Sequence, residues 1–373
     1  MRKILNAVLL IAGTSIGTGL LSLPISAVSL GMPITLLSIG VLYWLAYQSS
    51  MMVVDLNIFN QNPLAIVELT RKYGGRTCFG LTVLSFYLLS FGLLAVYFTC
   101  VSDTLSTVLV LSPKGVMIAC ACSLFLLFNL HIEKFAAFNS LCVTLLLGSI
   151  ACALFCFQSH SVAQSTFQMG EWVRFMPIVM TSFGMQTICP QLYTYLDRDR
   201  KRIQIALLLG LLVPAIVYPV WIHKTLSCAA MDPAFLAKLQ SHQASVGEFI
   251  QFLCDATHSL WLSGILKFLT LFAVITSMIG VAIGLLHSLR MLCPEWLAKV
   301  VLCLVPLAVN WFVANAFLRI LSFGGLMLII FVIVTPYWCV RKQNLKDPKL
   351  QYGLCLLLGL TVAVFEVVRI VIP

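Results

Sequence analysis

The stretch Ile11-Ala12-Gly13-Thr14-Ser15-Ile16-Gly17-Thr18-Gly19, followed by Leu23-Pro24, decides how this chain is read. It lies inside an apolar run, 4–27, long enough for a membrane crossing, which takes about 20 residues. Each glycine weakens a helix by about 1 kcal/mol relative to alanine, and three glycines beside hydroxyls favour local unwinding. Unwound backbone at membrane depth is tolerated only where it is buried in protein or lines a cavity. The half-helix ends then present N–H groups to a carboxylate and C=O groups to an ammonium or a cation. The same residues have a second reading, close helix packing, because Gly13 and Gly17 form a GxxxG pair.

A matching breaker stands in the run 175–196, as Ser182-Phe183-Gly184-Met185-Gln186-Thr187 with Pro190 after it. Working outward, apolar runs at 4–27, 32–54, 77–101, 114–130, 138–157, 175–196, 204–223, 260–287, 298–315, 318–340 and 351–373 predict about eleven spans. The expected fold is therefore an all-α polytopic membrane protein in a single integral domain. Two long polar connections, 55–76 after span 2 and 224–259 after span 7, lie five spans apart and so on opposite membrane faces. Such spacing is expected if spans 1–5, about 4–157, and spans 6–10, about 175–340, are repeats of inverted orientation. Span 11, about 351–373, is then an addition. Both breakers fall in the leading helix of a repeat, which favours a binding site between discontinuous helices 1 and 6 over packing alone.

Composition agrees. Hydrophobic residues make up 61% of the 373-residue chain and charged residues 10%, with mean hydropathy +1.02; soluble domains carry about 25% charged residues. The net charge of +10 is distributed by side. With the N-terminus cytoplasmic, most basic residues fall in cytoplasmic segments: Arg2 and Lys3; Arg71, Lys72 and Arg76; Lys134; Arg198 to Arg202; Arg290 and Lys299; and Arg341 to Lys349. This bias predicts N-inside and, with eleven spans, a periplasmic C-terminus. Basic residues scattered over short loops argue against nucleic acid as a partner. Arg2 and Lys3 precede a run long enough to span, so it is read as a helix and not a cleaved signal. Most of the 14 cysteines fall in apolar runs and read as small hydrophobes. Cys228 and Cys254 flank the second long polar connection, where an oxidising compartment permits a disulfide.

The Gly-rich segment with Leu23-Pro24, the Ser182-Phe183-Gly184 run with Pro190, and Thr276-Ser277-Met278-Ile279-Gly280-Val281 in span 8 together carry a resemblance. The chain resembles the bacterial hydroxy/aromatic amino acid permeases, tyrosine-specific transport proteins in particular, within the amino acid–polyamine–organocation superfamily. Asp55 closing span 2 also fits. The resemblance implies an eleven-helix permease with the five-plus-five inverted repeat. It implies import of tyrosine, tryptophan or phenylalanine through the bacterial inner membrane, driven by a cation gradient and without a cofactor. The chain departs from many relatives after the Phe-Gly of span 6, where Met185 and Gln186 replace an aromatic and a histidine; this bears on side-chain specificity.

Candidate roles follow. Backbone N–H groups near Ser15, Gly17, Thr18 and Gly19 face the substrate carboxylate, and carbonyls near Gly13, Thr14 and Ser182 face its ammonium. Phe183, Gly184, Met185 and Gln186 on span 6, with Tyr87, Ser90 and Phe91 on span 3, are candidates for the wall around the ring; packing against lipid or core is the other reading of the span 3 aromatics. By position in related sodium-coupled transporters, the carbonyls of Gly13, Ile16 and Ala273 with the hydroxyls of Thr276 and Ser277 form a sodium site. Thr and Ser hydroxyls also bond back to their own helix, which is the alternative for Thr276 and Ser277. Proton coupling, the usual assignment for such relatives, needs an ionisable group in the membrane; Lys267 and Glu366 are available. Lys267 near a span end also fits snorkelling, and Glu366 three residues from Arg369 also fits a structural pair. An enzyme needs an acid, base or metal constellation, yet of 13 acidic residues only Glu366 falls inside a predicted span, and the histidines are isolated. No filter-like loop points to a channel.

Overall fold

The computed structural model describes residues 2–17, 19–109, 112–128, 144–155, 168–241, 243–244, 246–256, 260–290, 292–312, 317–345 and 349–371. Among these the chain is helical, with no strand. In chain order the elements are α1 (Arg2–Ile16), α2 (Gly19–Ala27), α3 (Met32–Asn60), α4 (Ile66–Tyr73), α5 (Arg76–Leu109), α6 (Pro113–Leu127) and α7 (Thr144–Phe155). Then come α8 (Met169–Ser182), a 3-10 turn (Gln186–Ile188), α9 (Cys189–Tyr195), α10 (Arg200–Ala229), α11 (Pro233–Gln240), α12 (Val246–Ala256) and α13 (Leu260–Leu289). Last are α14 (Glu295–Phe312), α15 (Phe317–Ile329), a π turn (Ile330–Val334), α16 (Thr335–Lys342) and α17 (Lys349–Val371).

Among the described residues, seven helices are long and apolar enough to cross a bilayer on their own, and the bent pair α1–α2 passes as an eighth. α10 begins four residues before the sequence-predicted span and ends six after it, and α3 runs six beyond its own. Helix persists into the interface because the backbone bonds within the segment wherever water is scarce. Apolar side chains also cover the outside: Phe155 is 91% and Phe312 87% exposed, a surface suited to hydrocarbon rather than water. Both long polar connections fold. The first contains α4, with Ile66, Val67 and Leu69 buried and Arg71 and Lys72 outward, its N-terminus capped by Glu68 Oε2 accepting from Ala65 N at 2.8 Å. The second contains α11, capped by Asp232, and α12, their rings Phe235 and Phe252 stacked at 4.1 Å. Cys228 and Cys254 on this connection are free thiols.

The helices pack in two groups. α1, α2, α3, α8 and α10 form one connected set, α5 contacts α13, α14 and α15, and α15 packs extensively on α8 to join the two. Glycines set the close approaches: a Cβ at Gly210 on α10 would lie 2.6 Å from Ile11 Cβ, and one at Gly325 on α15 would lie 2.7 Å from Pro177 Cβ on α8. The first group is tied by charge at one end. Arg200 grips Asp55 with two bonds (Nε to Oδ1 2.7 Å, Nη2 to Oδ2 3.0 Å), and Tyr352 of α17 donates to Asp55 Oδ2 at 2.6 Å. Lys3 reaches Asp197 at 2.7 Å, and Arg202 reaches Asp197 and Asp199. Lys3 holds the exposed Asp197 carboxyl below the usual carboxylate range. Lys342 lies beside Gly75 at this same end. Lys3, Arg200 and Arg202 thus gather around the acids at this end. Lys134 and the 138–143 start of the fifth sequence-predicted span lie outside the described residues.

Replacing Asp55 by Ala strips two partners from a charged, part-buried site; hydrogen bonds to charged groups contribute about 1.5–3 kcal/mol each, discounted here because the Arg200 side chain is 41% exposed. A lower apparent melting temperature of the detergent-purified protein is expected, with Arg200→Lys giving a smaller drop because charge survives and the two-pronged geometry does not.

Candidate functional site

Span 1 opens where the glycines are. α1 ends at Ile16, Gly17 turns, and α2 begins at Gly19, bent 50° from α1; Thr18 lies outside the described residues. The carbonyls of the last α1 turn, from Gly13 to Ile16, and the first N–H groups of α2 have no partner within their own helices. The missing Cβ atoms explain why neighbours come so close. At Gly17 a Cβ would fall inside the Ser277 hydroxymethyl group, 2.9 Å from its Cβ, with the Ala273 carbonyl oxygen at 3.5 Å. At Gly19 it would lie 2.5 Å from Tyr218 Oη and 2.9 Å from Ser182 Cβ. Packing and opening are therefore both true of this segment.

Span 6 opens in the same manner. α8 ends at Ser182, and Phe183 to Met185 leave the helix before the 3-10 turn. The break bonds to itself: Gly184 N donates to Thr181 O at 3.0 Å and Met185 N to Phe183 O at 2.9 Å. Gly184 is a close-approach glycine, its Cβ position 3.2 Å from Leu328. Pro190 at the start of α9 needs no N–H donor there.

One residue joins the two breaks. The Tyr218 hydroxyl, on α10, stands 2.6 Å from Ser15 O and 2.9 Å from Ser182 O, and its ring meets Phe183 edge-on at 5.5 Å. Tyr218 is fully buried. A phenol carries one proton, so it serves one of these carbonyls at a time. From the next turn, Trp221 Nε1 donates to Leu20 O at 2.6 Å. The sequence reading passed over both residues. Their signal was the pair of interior prolines, Pro214 and Pro219, which flank Tyr218 and set span 7 apart.

Buried side-chain oxygens without a hydrogen-bond partner, among the described residues, are Ser15 Oγ, Glu171 Oε2, Gln186 Oε1, Ser227 Oγ and Ser277 Oγ. Ser15, Gln186 and Ser277 belong to the two breaks and to the helix facing them. Leaving such a group unpaired costs about 1–3 kcal/mol, so three in one region mark a place built for something polar. Gln186 Nε2 donates to Ser49 Oγ on α3 at 3.0 Å, and Ser50 Oγ approaches Met185 Sδ at 3.4 Å. Met185 and Gln186 thus face α3, whereas Phe183 faces Tyr218. Thr276 turns back onto its own helix, donating to Phe272 O at 2.9 Å and to Ala273 O at 3.2 Å. Ser277 instead points at Gly17. The structure brings together Gly17, Ala273 and Ser277, with Ile16 and Gly13 buried alongside.

Tyr87 and Phe91 of span 3 stand elsewhere. Ser90 is buried, and Tyr87 and Phe91, 6.2 Å apart, line a cavity of about 690 Å³ between α4, α5, α14 and α15. No residue of the broken helices lines it. Glu366 is buried and partnered, and Lys267 is half-buried. The Arg369 side chain lies outside the described residues. Among the described residues no three His, Cys, Asp or Glu side chains group as a metal site.

Known proteins similar to this chain are transport proteins. The model of the tryptophan/tyrosine permease family matches residues 1–372. The chain is 24% identical to tyrosine-specific transport system 2 of Haemophilus influenzae, over 94% of this chain and 90% of that protein. It is 24% identical to a tryptophan-specific transport protein of Pseudomonas aeruginosa (92% and 87% covered) and 22% identical to glutamine transporter 2 of Aliivibrio fischeri (98% and 99% covered). Among solved structures, a manganese transporter of Eremococcus coleocola superposes with TM-score 0.59 at 12% identity, covering 97% of this chain and 85% of that one. At that identity the likeness is one of fold.

Because the Gly17 contact is steric, Gly17→Ala is expected to lower the apparent melting temperature, and Ser277→Gly in the same chain to restore much of the loss. Tyr218→Phe removes the single donor that Ser15 O and Ser182 O share, a destabilisation of about 1–3 kcal/mol, read by the same melts.

Proposed function

The chain belongs to the tryptophan/tyrosine permease family, a family of multi-pass membrane transport proteins and not of enzymes, and on that premise we propose that it imports an aromatic amino acid, tyrosine foremost, by cation-coupled symport with alternating access. The observation that carries this reading is the meeting of two opened backbones at Tyr218, with three partnerless oxygens around them.

In this reading the substrate carboxylate sits on the N–H groups at Gly17, Thr18 and Gly19, where α2 begins and its dipole is positive. The ammonium takes the carbonyls of Gly13, Thr14 and Ser182. Tyr218 supports the exchange: when the ammonium bonds Ser182 O, the hydroxyl still has Ser15 O. The ring lies against Phe183, and Met185 with Gln186 closes the side toward α3. Sodium, if it is the coupling ion, takes the carbonyls of Gly13, Ile16 and Ala273 with the hydroxyls of Ser277 and Thr276. The partnerless Ser277 oxygen facing Gly17 favours this over a proton on Glu366, which already has a partner.

The full architecture proposed is eleven spans: repeats 4–157 and 175–340 of inverted orientation, and the added span 351–373. Breaks in both leading helices support it, as do folded connections after spans 2 and 7, α4 and α11–α12. The bias of basic residues along the chain supports a cytoplasmic N-terminus, a periplasmic C-terminus and residence in the bacterial inner membrane. A second reading, import of a small neutral amino acid, is favoured by the full-length likeness to a glutamine transporter and by Gln186 Oε1, an unused acceptor for an amide.

Uptake into proteoliposomes separates these. Labelled tyrosine, tryptophan, phenylalanine and glutamine are offered under a sodium gradient alone and a proton gradient alone. Tyrosine uptake under the sodium gradient, abolished by Gly17→Leu without loss of membrane insertion, is the expected result. Glutamine uptake without tyrosine uptake selects the second reading. Unchanged uptake in Gly17→Leu rejects the span 1 site.

A further inference from the structure

We propose that the 690 Å³ cavity between α4, α5, α14 and α15 holds one acyl chain of an anionic phospholipid, whose phosphate is held by Arg71.

Its volume falls within the roughly 300–1,000 Å³ of small-molecule sites, yet its chemistry suits neither an amino acid nor an ion. The walls are apolar from Phe79 to Phe323. The hydroxyls of Tyr87 and Ser288, 3.0 Å apart, already satisfy each other. Gly80 leaves open space, with nothing within 4 Å of its Cβ position. The lining runs along α5 from Phe79 to Gly92, about 20 Å at 1.5 Å per residue. One leaflet of hydrocarbon is about 15 Å deep, half the bilayer core. The cavity is therefore long enough for a chain that enters at one membrane face and reaches past the midplane.

Apart from the mutually bonded Tyr87 and Ser288 hydroxyls, the polar side chains of the lining stand at the α4 end. Arg71 lines that mouth, is exposed, and has no hydrogen-bond or ion-pair partner among the described residues. Glu68, the acid beside it, is already engaged by the Ala65 N–H of its own helix end. Lys72, Arg76 and Lys342 do not line the cavity, and Lys72 already donates to Asn60 Oδ1 at 2.6 Å, so Arg71 is the cation at the mouth. α4 turns its apolar face inward and its cations outward, as a helix lying in the headgroup layer does. An unpaired guanidinium at headgroup level over a leaflet-deep apolar slot matches a phosphodiester with its acyl chain, and basic residues near the membrane surface favour anionic lipids.

Native mass spectrometry of the full-length, delipidated protein tests this with palmitoyl-oleoyl phosphatidylglycerol and palmitoyl-oleoyl phosphatidylcholine titrated separately. One retained adduct is expected, with the phosphatidylglycerol bound about fivefold tighter, the preference one arginine gives. Arg71→Gln should erase the preference and leave the weaker adduct. Val83→Trp on α5 and Val309→Trp on α14 should each remove the adduct for both lipids while the melting temperature stays near that of the parent. Equal binding of the two lipids, an undiminished preference in Arg71→Gln, or an adduct that survives a folded tryptophan variant overturns the proposal. Arg71 is exposed, so the glutamine variant folds and decides the headgroup contact even if a tryptophan variant does not.

Discussion

A buried carbonyl in a membrane protein needs a donor, and at Ser15 and Ser182 one phenol provides it for two helices. Much else depends on this constraint. Opening a helix at membrane depth is costly unless its freed groups are met by other protein atoms; Tyr218 of α10 does so at the breaks, and Trp221 serves Leu20 O, left without its helical donor by Pro24. The two glycines that open span 1 are also those that let α13 and α10 approach it, so the weakness and its repair share residues. Three buried oxygens, Ser15 Oγ, Gln186 Oε1 and Ser277 Oγ, have no hydrogen-bond partner at the breaks and the helix facing them.

The two packing groups are distinct but joined. Ion pairs tie the broken-helix group at one face, with Asp55 taking both Arg200 and Tyr352, and Asp197 taking Lys3 and Arg202. Such pairs at a part-exposed face contribute little each, but they link α1, α3, α10 and α17 in one plane. The second group surrounds α5 and leaves a cavity beside it, and the Gly325 notch against Pro177 joins it to the first.

What could be read without coordinates was whatever one segment expresses by itself. Glycine spacing at 13, 17 and 19 located the first break, and Ser182-Phe183-Gly184 located the second. The resemblance points to Thr276 and Ser277 together at span 1; Ser277 lies against Gly17, and Thr276 turns back on its own helix. Tyr87 and Phe91, although the right residue types for a substrate wall, belong to another cavity, because nothing in the sequence of α5 tells which of its faces looks at α8 and which at α14. Tyr218 was missed for the complementary reason: a tyrosine in an apolar run looks like many others until two carbonyls from distant segments close on its hydroxyl.

By itself, then, the sequence determined the helical class, the membrane as solvent, the places where helices open and the bias of charge between faces. These follow from local hydropathy, glycine and proline content and counted charge, which do not depend on neighbours. Only the tertiary structure decided which groups close each break, which hydroxyl turns back on its own helix, as Thr276 does, and which is left facing the gap, as Ser277 is. Pairings of that kind join residues distant in the chain, 203 positions apart between Ser15 and Tyr218. Their energy exists only when packing has brought both partners out of hydrocarbon and into contact.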